Sequence, residues 1–236
     1  MSGSLRLACL DAEAPPLFSR WSADAGRRGF EPAVAELIGE QLGRRIEWIR
    51  VPWAAMIPAV LRGEADAVLC GQGITSERQA LVDFTRPYAI FHESVLVRRG
   101  SGISGPADLV GRRVAAIDAS TNMALAQTFE GTVPVGFGSS GSDDVYLEML
   151  TALGDEEVDA VVDDDVVFVP LGENDPRFEV AFTVRTGNRW GIGVAPDRDD
   201  LRTELDGALD AVIADGRHRS VWEQWLPTLA YPELED

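Results

Sequence analysis

The feature that most limits the folds open to this chain is a repeated alternation of short apolar strands with helices. In the first series, strands are predicted at residues 5–10, 45–51 and 65–70, with helices at 30–42 and 53–61 between them. Strands that alternate with helices form parallel sheets, and ligands bind such sheets beyond the carboxyl ends of the strands. The sequence therefore predicts an α/β protein whose site lies at strand ends.

A second series with the same alternation occupies the later half of the chain. Its strands are predicted at residues 114–117, 133–137 and 159–162, with helices at 120–129 and 142–153 between them. Further extended segments are predicted at 93–99, 178–184 and 189–194, and further helices at 201–216 and 221–226. Periodicity alone indicates two α/β halves.

Turn residues shape the start of the first half. Pro15 and Pro16 require an irregular loop after the first strand, and Gly43 is expected to end the helix at 30–42. Residues 18–28, rich in Ser, Gly and Arg, are predicted to form an exposed excursion.

The segment 71–88 combines a tight turn with a short helix. Gly71 and Gly73 follow a strand, where the backbone must turn or approach another group closely. Thr75, or the serine after it, can cap a helix that carries Arg78 in its first turn. A cation there opposes the helix dipole unless an anion lies between them, and arginine grips carboxylates through two parallel hydrogen bonds. A solvated surface arginine is the simpler alternative.

This segment resembles the signature of the type II periplasmic solute-binding proteins, family 3, the amino-acid-binding components of ABC transporters. The signature runs Gly-x-x-Ile-Thr-x-Glu-Arg and then Val-Asp-Phe-Ser-x-Pro-Tyr. The residues that match it here are Ile74, Thr75, Glu77, Arg78, Val82, Asp83, Phe84, Pro87 and Tyr88. The similarity covers nearly the whole chain and is more specific for the fold than for the ligand.

The resemblance implies two Rossmann-like α/β lobes joined by a two-strand hinge. Lobe 1 would comprise residues 1–92 and 189–236, and lobe 2, inserted between them, residues 93–188. In this family the ligand lies in the interlobe cleft, which closes by a hinge motion. The family also implies a monomer that captures an amino acid outside the cytoplasm and delivers it to an ABC transporter permease.

The resemblance assigns roles to residues that would hold the ligand's α-groups. Arg78 would clamp the carboxylate, helped by backbone amides near Thr75 and Thr121. Ser120 and Thr121 lie in a segment similar to the family's Gly-Ser-Thr segment, although either is also an ordinary helix cap. Asp164 best matches the acidic residue that pairs with the ammonium. The three consecutive aspartates around it also allow a solvated turn or a weak calcium site.

Three residues are predicted at the side-chain end of the ligand. Asp11 ends the first strand, where the family places an acidic residue, although an Asx-type turn is the alternative. Glu13 adds a second carboxylate to the same loop. Trp53 matches an aromatic residue that covers the ligand, or else it fills the core. Two carboxylates favour a polar or cationic side chain such as an amide, a guanidinium or an ammonium.

Three positions depart from the family pattern. Ala14 lies near the place of a second stacking aromatic residue in many relatives. Gly71 and Gly73 replace hydroxyl residues that often bind the ligand ammonium, so only their backbone carbonyls remain to accept. These departures weaken the prediction of an aromatic sandwich and of a standard amino-acid pose.

Charge and composition exclude several functions. The net charge of −18 argues against nucleic acid as a partner, because binding phosphates requires clustered cations. All 21 basic residues are arginine, which excludes lysine chemistry. No run of about 18 apolar residues occurs, so no spanning helix is expected. The first residues lack the basic and apolar segments of an export signal. We therefore expect either that the signal was removed or that the protein is cytosolic. The family resemblance implies a periplasmic or extracellular protein associated with the cell surface.

Motifs of cofactor-binding and catalytic proteins are weak here. Gly-x-Gly-x-x-Gly occurs at 100–105 and 136–141, but the first precedes too short a helix and the second precedes Asp143 and Asp144, which would repel a pyrophosphate. His92, at the predicted hinge, and His218, on a polar helix end, are far apart in sequence and are predicted to be structural or solvated. We expect no cofactor, no metal and no enzyme activity.

Other interpretations remain open. An enzyme on the same fold, resembling cyclohexadienyl or arogenate dehydratases, would need a proton donor such as Glu13, Asp118 or Asp163. A sensory ectodomain is a third class. Cys9 and Cys70 end predicted strands and are expected to be buried free thiols, since a disulfide between neighbouring parallel strands has poor geometry.

Overall fold

The computed structural model describes residues 3–138 and 144–234, and the chain divides into two compact units. Unit 1 comprises Met1–Asp11, Pro16–Ile90 and Asn188–Asp236, and unit 2 comprises Ala12–Pro15 and Phe91–Gly187. Each unit contains its own five-stranded sheet with helices. Within the described ranges, no helix combines the length and the apolar character that crossing a bilayer requires.

The elements follow the predicted alternation. The strands are β1 (Ser4–Cys9), β2 (Arg45–Arg50), β3 (Ala67–Val68), β4 (Asp83–Phe84), β5 (Ala89–Arg98), β6 (Arg113–Ile117), β7 (Val133–Phe137), β8 (Ala160–Asp164), β9 (Phe178–Trp190) and β10 (Gly193–Val194). The helices are α1 (Phe30–Leu42), α2 (Met56–Leu61), α3 (Ser76–Gln79), α4 (Thr121–Ala126), α5 (Val145–Gly154), α6 (Asp165–Asn174), α7 (Asp199–Ala214) and α8 (Arg217–Trp225), with short 3-10 helices at Trp53–Ala55 and Pro106–Leu109.

The sheet of unit 1 has the strand order β2-β1-β3-β10-β4. β1 pairs in parallel with β2 and β3, whereas β10 runs antiparallel to β3 and β4. The carboxyl ends of β1, β2 and β3 therefore share one edge of the sheet, where a parallel α/β arrangement places ligands.

The core of unit 1 depends on α1, which packs against α7 and α8. Phe30, at the start of α1, contacts Trp222 edge to face, with ring centroids 5.3 Å apart. Gly43 adopts the left-handed conformation with φ 62° and ends the helix, as predicted, because glycine has no Cβ to clash there.

The sheet of unit 2 has the order β7-β6-β8-β5-β9. β6 pairs in parallel with β7 and β8, and β5 runs antiparallel to β8. Its core is built from apolar side chains of these strands and of α4: Val95, Val97, Val114, Ala116, Met123, Ala126, Ala160 and Val162. The same pairing places Glu93 of β5 opposite Asp164 of β8.

Several predicted elements differ in extent. The third strand forms ladder pairs only at Ala67–Val68, where β1 and β10 both lie beside it. The helix predicted at 120–129 ends at Ala126. The start of the helix predicted at 142–153, Asp143 and the end of the glycine motif at 136–141 lie outside the described residues.

The prediction of an exposed excursion at 18–28 is wrong for two of its members. Phe18 and Arg27 are buried, and the Arg27 guanidinium carbon lies 4.4 Å from the Phe18 ring centroid. Arg27 also donates a hydrogen bond to the carbonyl of Leu10 at 2.5 Å. The buried cation is stabilised because it stacks on an aromatic face and finds a carbonyl acceptor.

Both histidines have structural contacts. His92 Nδ1 accepts a hydrogen bond from the Gly187 amide at 3.0 Å. His218, at the start of α8, is fully buried because α8 packs against α1, and its Nδ1 lies 3.0 Å from the Tyr231 hydroxyl. Burial lowers the pKa of His218 to about 4. Cys9 and Cys70 are buried free thiols, as predicted.

Candidate ligand-binding site

In unit 1, the predicted carboxylate clamp is held by a helix cap and an aromatic ring. The Thr75 hydroxyl oxygen accepts a hydrogen bond from the Arg78 amide at 3.3 Å, which starts α3. The Arg78 guanidinium donates to the carbonyl of Gly73 at 3.0 Å and lies 5.4 Å from the Trp53 ring centroid. The structure thus brings four predicted residues together and orients a half-buried guanidinium, a group suited to an anion.

Thr75 also interacts with the acidic residue of the signature. The backbone amide of Glu77 and the Thr75 hydroxyl lower the pKa of the Glu77 carboxyl. The Thr75 hydroxyl therefore acts at the cap of α3 through both its oxygen and its proton. Hydrogen bonds from this position to a ligand would therefore come from the neighbouring backbone amides and not from the Thr75 hydroxyl.

A buried carboxylate that sequence reasoning missed holds both ends of the signature segment. Glu31 Oε1 accepts hydrogen bonds from the Gly71 amide at 2.6 Å and from the Tyr88 hydroxyl at 2.5 Å. Gly71 has φ 59°, and a Cβ there would lie 3.5 Å from the Trp190 ring. The segment is thereby fastened to α1, and burial raises the pKa of Glu31.

Asp11 lies at the shared carboxyl edge of unit 1, one residue beyond Leu10. Its Oδ1 accepts a hydrogen bond from the Trp21 amide at 3.0 Å, and its Oδ2 lies 3.6 Å from Arg50 Nη1. Glu13 belongs to unit 2, where it is exposed and its amide donates to Asp144 Oδ2 at 3.3 Å. The two predicted carboxylates thus belong to different units and have different partners.

In unit 2, Ser120 serves as the cap of α4. Its hydroxyl accepts a hydrogen bond from the Met123 amide at 3.0 Å and donates to the Ile117 carbonyl at 2.6 Å. Thr121 is the first residue of α4 and is half-buried. The structure supports the capping alternative for Ser120 directly, because its proton and one lone pair are both engaged.

Because of these contacts, Ser120→Ala is expected to reduce the free energy of unfolding by about 1 kcal/mol. The cause is the loss of the hydrogen bond to the Met123 amide at the start of α4. Urea unfolding of ligand-free protein measures the change, with Ser220→Ala, on an exposed part of α8, as the control. Unchanged stability in the Ser120 variant would contradict the capping role.

Four buried carboxyl groups lie on neighbouring strands of unit 2 and at the start of α6. They are Glu93, Asp163, Asp164 and Asp165, which are 1%, 1%, 8% and 8% exposed. Glu93 pairs in register with Asp164, and the Asn122 amide nitrogen lies 3.5 Å from Asp164 Oδ1. The alternative of a solvated turn at the three aspartates does not hold, because β8 continues through Asp164 and α6 begins at the next residue. Among the described residues, no cluster has an arrangement that could hold a metal ion.

The four carboxyl groups lie close together in a poorly solvated place, where their ionised forms are unfavourable. Asp163 Oδ1 accepts hydrogen bonds from the Tyr146 hydroxyl at 3.0 Å and from the Asp164 amide at 2.8 Å, while its Oδ2 is buried and has no hydrogen-bond partner among residues 3–138 and 144–234. Burial raises the pKa of Asp163 to about 7. Burial and the charge of Asp163, and then that of Glu93, raise the pKa of Asp164 well above its usual range. Such a cluster either retains protons or accepts a cation.

Comparison with known proteins adds to this geometry. The sequence profile of the bacterial extracellular solute-binding proteins, family 3, matches residues 7–228. The chain belongs to this family.

Two curated relatives of this solute-binding protein are named as amino-acid-binding proteins of ABC transporters. It is 28% identical to the ABC transporter arginine-binding protein 1 of Escherichia coli over 223 residues, which covers 92% of this chain and 89% of that protein. It is 26% identical to the ABC transporter glutamine-binding protein GlnH of Bacillus subtilis over 202 residues, covering 84% and 72%. One similar protein is the membrane-bound lytic murein transglycosylase F of Idiomarina loihiensis, with 25% identity over 203 residues, covering 84% of this chain and 44% of that protein.

Solved structures show the same architecture. An ancestral arginine-binding protein bound to arginine superposes with a TM-score of 0.86 at 26% identity, covering 96% of this chain and 99% of that one. A structure described as an ancestral arginine-binding protein bound to glutamine matches with the same values. The predicted family and fold class, two α/β lobes of the periplasmic-binding-protein type, are confirmed.

In this solute-binding protein, sequence reasoning missed Glu31, Glu93 and Asn122. Glu93 had a usable signal, since it shares the inward phase of β5 with Phe91 and Val95, which are both buried. Asn122 and Glu31 are polar residues near helix starts, where polarity is common, so their burial depended on tertiary contacts.

Proposed function

We propose that this solute-binding protein captures an amino acid outside the cytoplasm and delivers it to an ABC transporter permease. The observation that carries the proposal is that each unit presents groups suited to one end of a zwitterion. Unit 1 presents the Arg78 guanidinium on the Trp53 ring, and unit 2 presents Asp164 within buried carboxyl groups. An amino acid zwitterion has one group complementary to each.

Each predicted residue has a role in this proposal. Arg78 binds the α-carboxylate, Asp164 binds the α-ammonium, and Trp53 covers the aliphatic stem. The Asp11 and Glu13 carboxylates lie at the side-chain end of the ligand. Backbone groups of the remaining predicted positions complete the contacts, and these positions are Gly71, Gly73, Thr75, Ser120 and Thr121. The buried aspartates would be stabilised by an ammonium ion, because an unpaired charge in a poorly solvated site is unfavourable.

The relatives support an amino acid as the class of ligand, since they are named for arginine and glutamine. The same family relationship supports our proposal that the protein delivers its ligand to a permease and acts as a monomer. We place the protein in the periplasm or at the cell surface for the same reason.

We propose a binding role rather than catalysis. A dehydratase-like enzyme would need a proton donor beside a leaving group, and burial raises the pKa of one of the candidates, Asp163, to about 7. Its Oδ1 already accepts two hydrogen bonds within unit 2. Prephenate, which carries carboxylates and no ammonium, discriminates between the two functions.

A thermal-shift panel of the twenty amino acids and prephenate tests the proposal. A ligand of the folded state at a hundredfold above its Kd is expected to add about 2.7 kcal/mol, or roughly 5–10 °C in Tm. Asp164→Asn should abolish the shift, whereas Asp108→Asn, an exposed aspartate of unit 2, should retain it. No shift with any amino acid, or consumption of prephenate, would overturn the proposal.

A further inference from the structure

Asp11 and Arg50 form a mixed-charge pair at the edge where β1 and β2 end. Cys9 of β1 is in register with Arg50 of β2, and Asp11 follows two residues later. The carboxylate Oδ2 and the guanidinium Nη1 are 3.6 Å apart, and the side chains are 28% and 45% exposed. Both groups are therefore paired yet accessible to a further polar group.

The surroundings of this pair hold its geometry. The Trp21 amide donates a hydrogen bond to Asp11 Oδ1 at 3.0 Å, and the Arg50 guanidinium carbon lies 4.8 Å from the Trp21 ring centroid. Trp21 thus contacts both partners, one through its backbone and the other through its ring. The cation–π contact favours a fixed position for the guanidinium.

The pair is close in sequence to the proposed carboxylate clamp. Arg50 precedes Trp53 by three residues, and the Trp53 ring lies 5.4 Å from the Arg78 guanidinium carbon. The pair of Asp11 and Arg50, like Trp53 and Arg78, belongs to unit 1. In the proposed function, Arg78 binds the ligand carboxylate and Trp53 covers the aliphatic stem. The ligand side chain then extends to other polar groups at the carboxyl edge of the unit 1 sheet, where Asp11 and Arg50 lie.

The chemistry of the pair selects among side chains. A guanidinium or ammonium would pair with Asp11 but be repelled by Arg50, and a carboxylate would pair with Arg50 but be repelled by Asp11. A carboxamide has a donor NH₂ for Asp11 and an acceptor oxygen for Arg50, and it carries no charge. The two protein groups together are neutral, as is this side chain.

We propose that Arg50 is a specificity-determining residue that restricts the ligand to amino acids with a neutral carboxamide side chain and disfavours cationic ones. This inference rests on the proposed function and narrows its ligand class. It also narrows the expectation from the sequence, where Asp11 and Glu13 favoured a polar or cationic side chain such as an amide, a guanidinium or an ammonium. Arg50 disfavours the two cationic groups because it places a positive charge beside Asp11.

Calorimetric titration with L-glutamine, L-arginine and L-glutamate tests the inference. Wild-type protein is expected to bind glutamine at least tenfold more tightly than arginine. Arg50→Gln, which removes the charge and keeps a polar side chain, should raise arginine affinity about tenfold or more relative to glutamine. Arg45→Gln, at the other end of the same strand, is the matched control and should leave the ratio unchanged.

A reciprocal variant keeps the test independent of the stability of Arg50 variants. Asp11→Asn leaves Arg50 without its carboxylate, so glutamate affinity should rise relative to glutamine. Arginine binding wild type as tightly as glutamine, or an unchanged ratio in Arg50→Gln, would overturn the role of Arg50 while leaving amino-acid binding intact. If wild type binds no amino acid at all, the proposed function itself fails, and this inference fails with it.

Discussion

Replacing Arg78 with alanine is expected to weaken amino-acid binding by a factor of about 30 to 5,000. Loss of one partner from a desolvated, hydrogen-bonded charge pair costs roughly 2–5 kcal/mol, because the remaining carboxylate is left without a counter-charge. The structure positions this guanidinium with the Gly73 carbonyl and the Trp53 ring. Isothermal titration with the best ligand of the thermal-shift panel measures the change.

Two further variants give this prediction its controls. Arg78→Lys should recover only part of the affinity, because an ammonium cannot form two parallel bonds to a carboxylate and stacks less well on an aromatic face. Arg62→Ala removes an exposed arginine of unit 1 that pairs with Glu64, and it should leave binding unchanged. If Arg78→Ala binds as tightly as wild type, the carboxylate clamp is assigned to the wrong residue.

The second large effect is on pH dependence. The pKa of Asp163 is raised to about 7 in the folded protein, from an ordinary value of 3.8. Between these values the folded state binds a proton that the unfolded state has released, so this group's stabilising contribution is complete below pH 3.8 and is lost as pH rises towards 7. The contribution is on the order of a few kcal/mol in total.

Asp163→Asn should therefore become more stable relative to wild type as pH rises. The difference in free energy of unfolding is expected to increase by about 1 kcal/mol per pH unit from pH 5 to 7 and to level off above about pH 8. Asparagine still accepts hydrogen bonds from the Tyr146 hydroxyl and the Asp164 amide at Oδ1, but it does not titrate. Urea unfolding of the ligand-free protein at several pH values measures this difference.

Wild type and Asp163→Asn must be compared at each pH, because His218 changes the free energy of unfolding with pH in the opposite direction to Asp163. Its pKa is lowered to about 4, so its neutral form adds stability that is present above pH 6.5 and is lost as pH falls towards 4. Asp108→Asn is the control, because hydrogen bonds from Ser104 hold the pKa of Asp108 below its usual range and it stays charged throughout the pH 5–8 window. A pH-independent difference for Asp163→Asn would show that Asp163 is ionised in the folded protein.

Much of the fold followed from local patterns. The helix at 30–42 and its end at Gly43 were predicted correctly, because apolar spacing and a left-handed glycine act within a few residues. The cap at Thr75 and the position of Arg78 in α3 followed from the signature segment for the same reason. The site assignments at Arg78, Trp53 and Asp164 came from the family resemblance and remain predictions.

The extent of β3 and the burial of Arg27 were not predictable in this way. β3 forms ladder pairs only where β1 and β10 are both present beside it, and β10 comes from the far end of the chain. Arg27 is buried because Phe18 and the Leu10 carbonyl surround its guanidinium. Composition favoured exposure for Arg27 and a longer strand at 65–70, since it does not record which partners the fold supplies.

The sequence by itself determined the alternation of strands and helices, the helix caps and the family signature, because these depend on neighbouring residues. Only the tertiary structure decided which charges are buried and paired. Glu93 lies opposite Asp164 through the pairing of β5 with β8, and Arg50 reaches Asp11 through the register of β2 with β1. Strand pairing joins residues that are distant in sequence, and their electrostatic environment exists only once those strands are assembled.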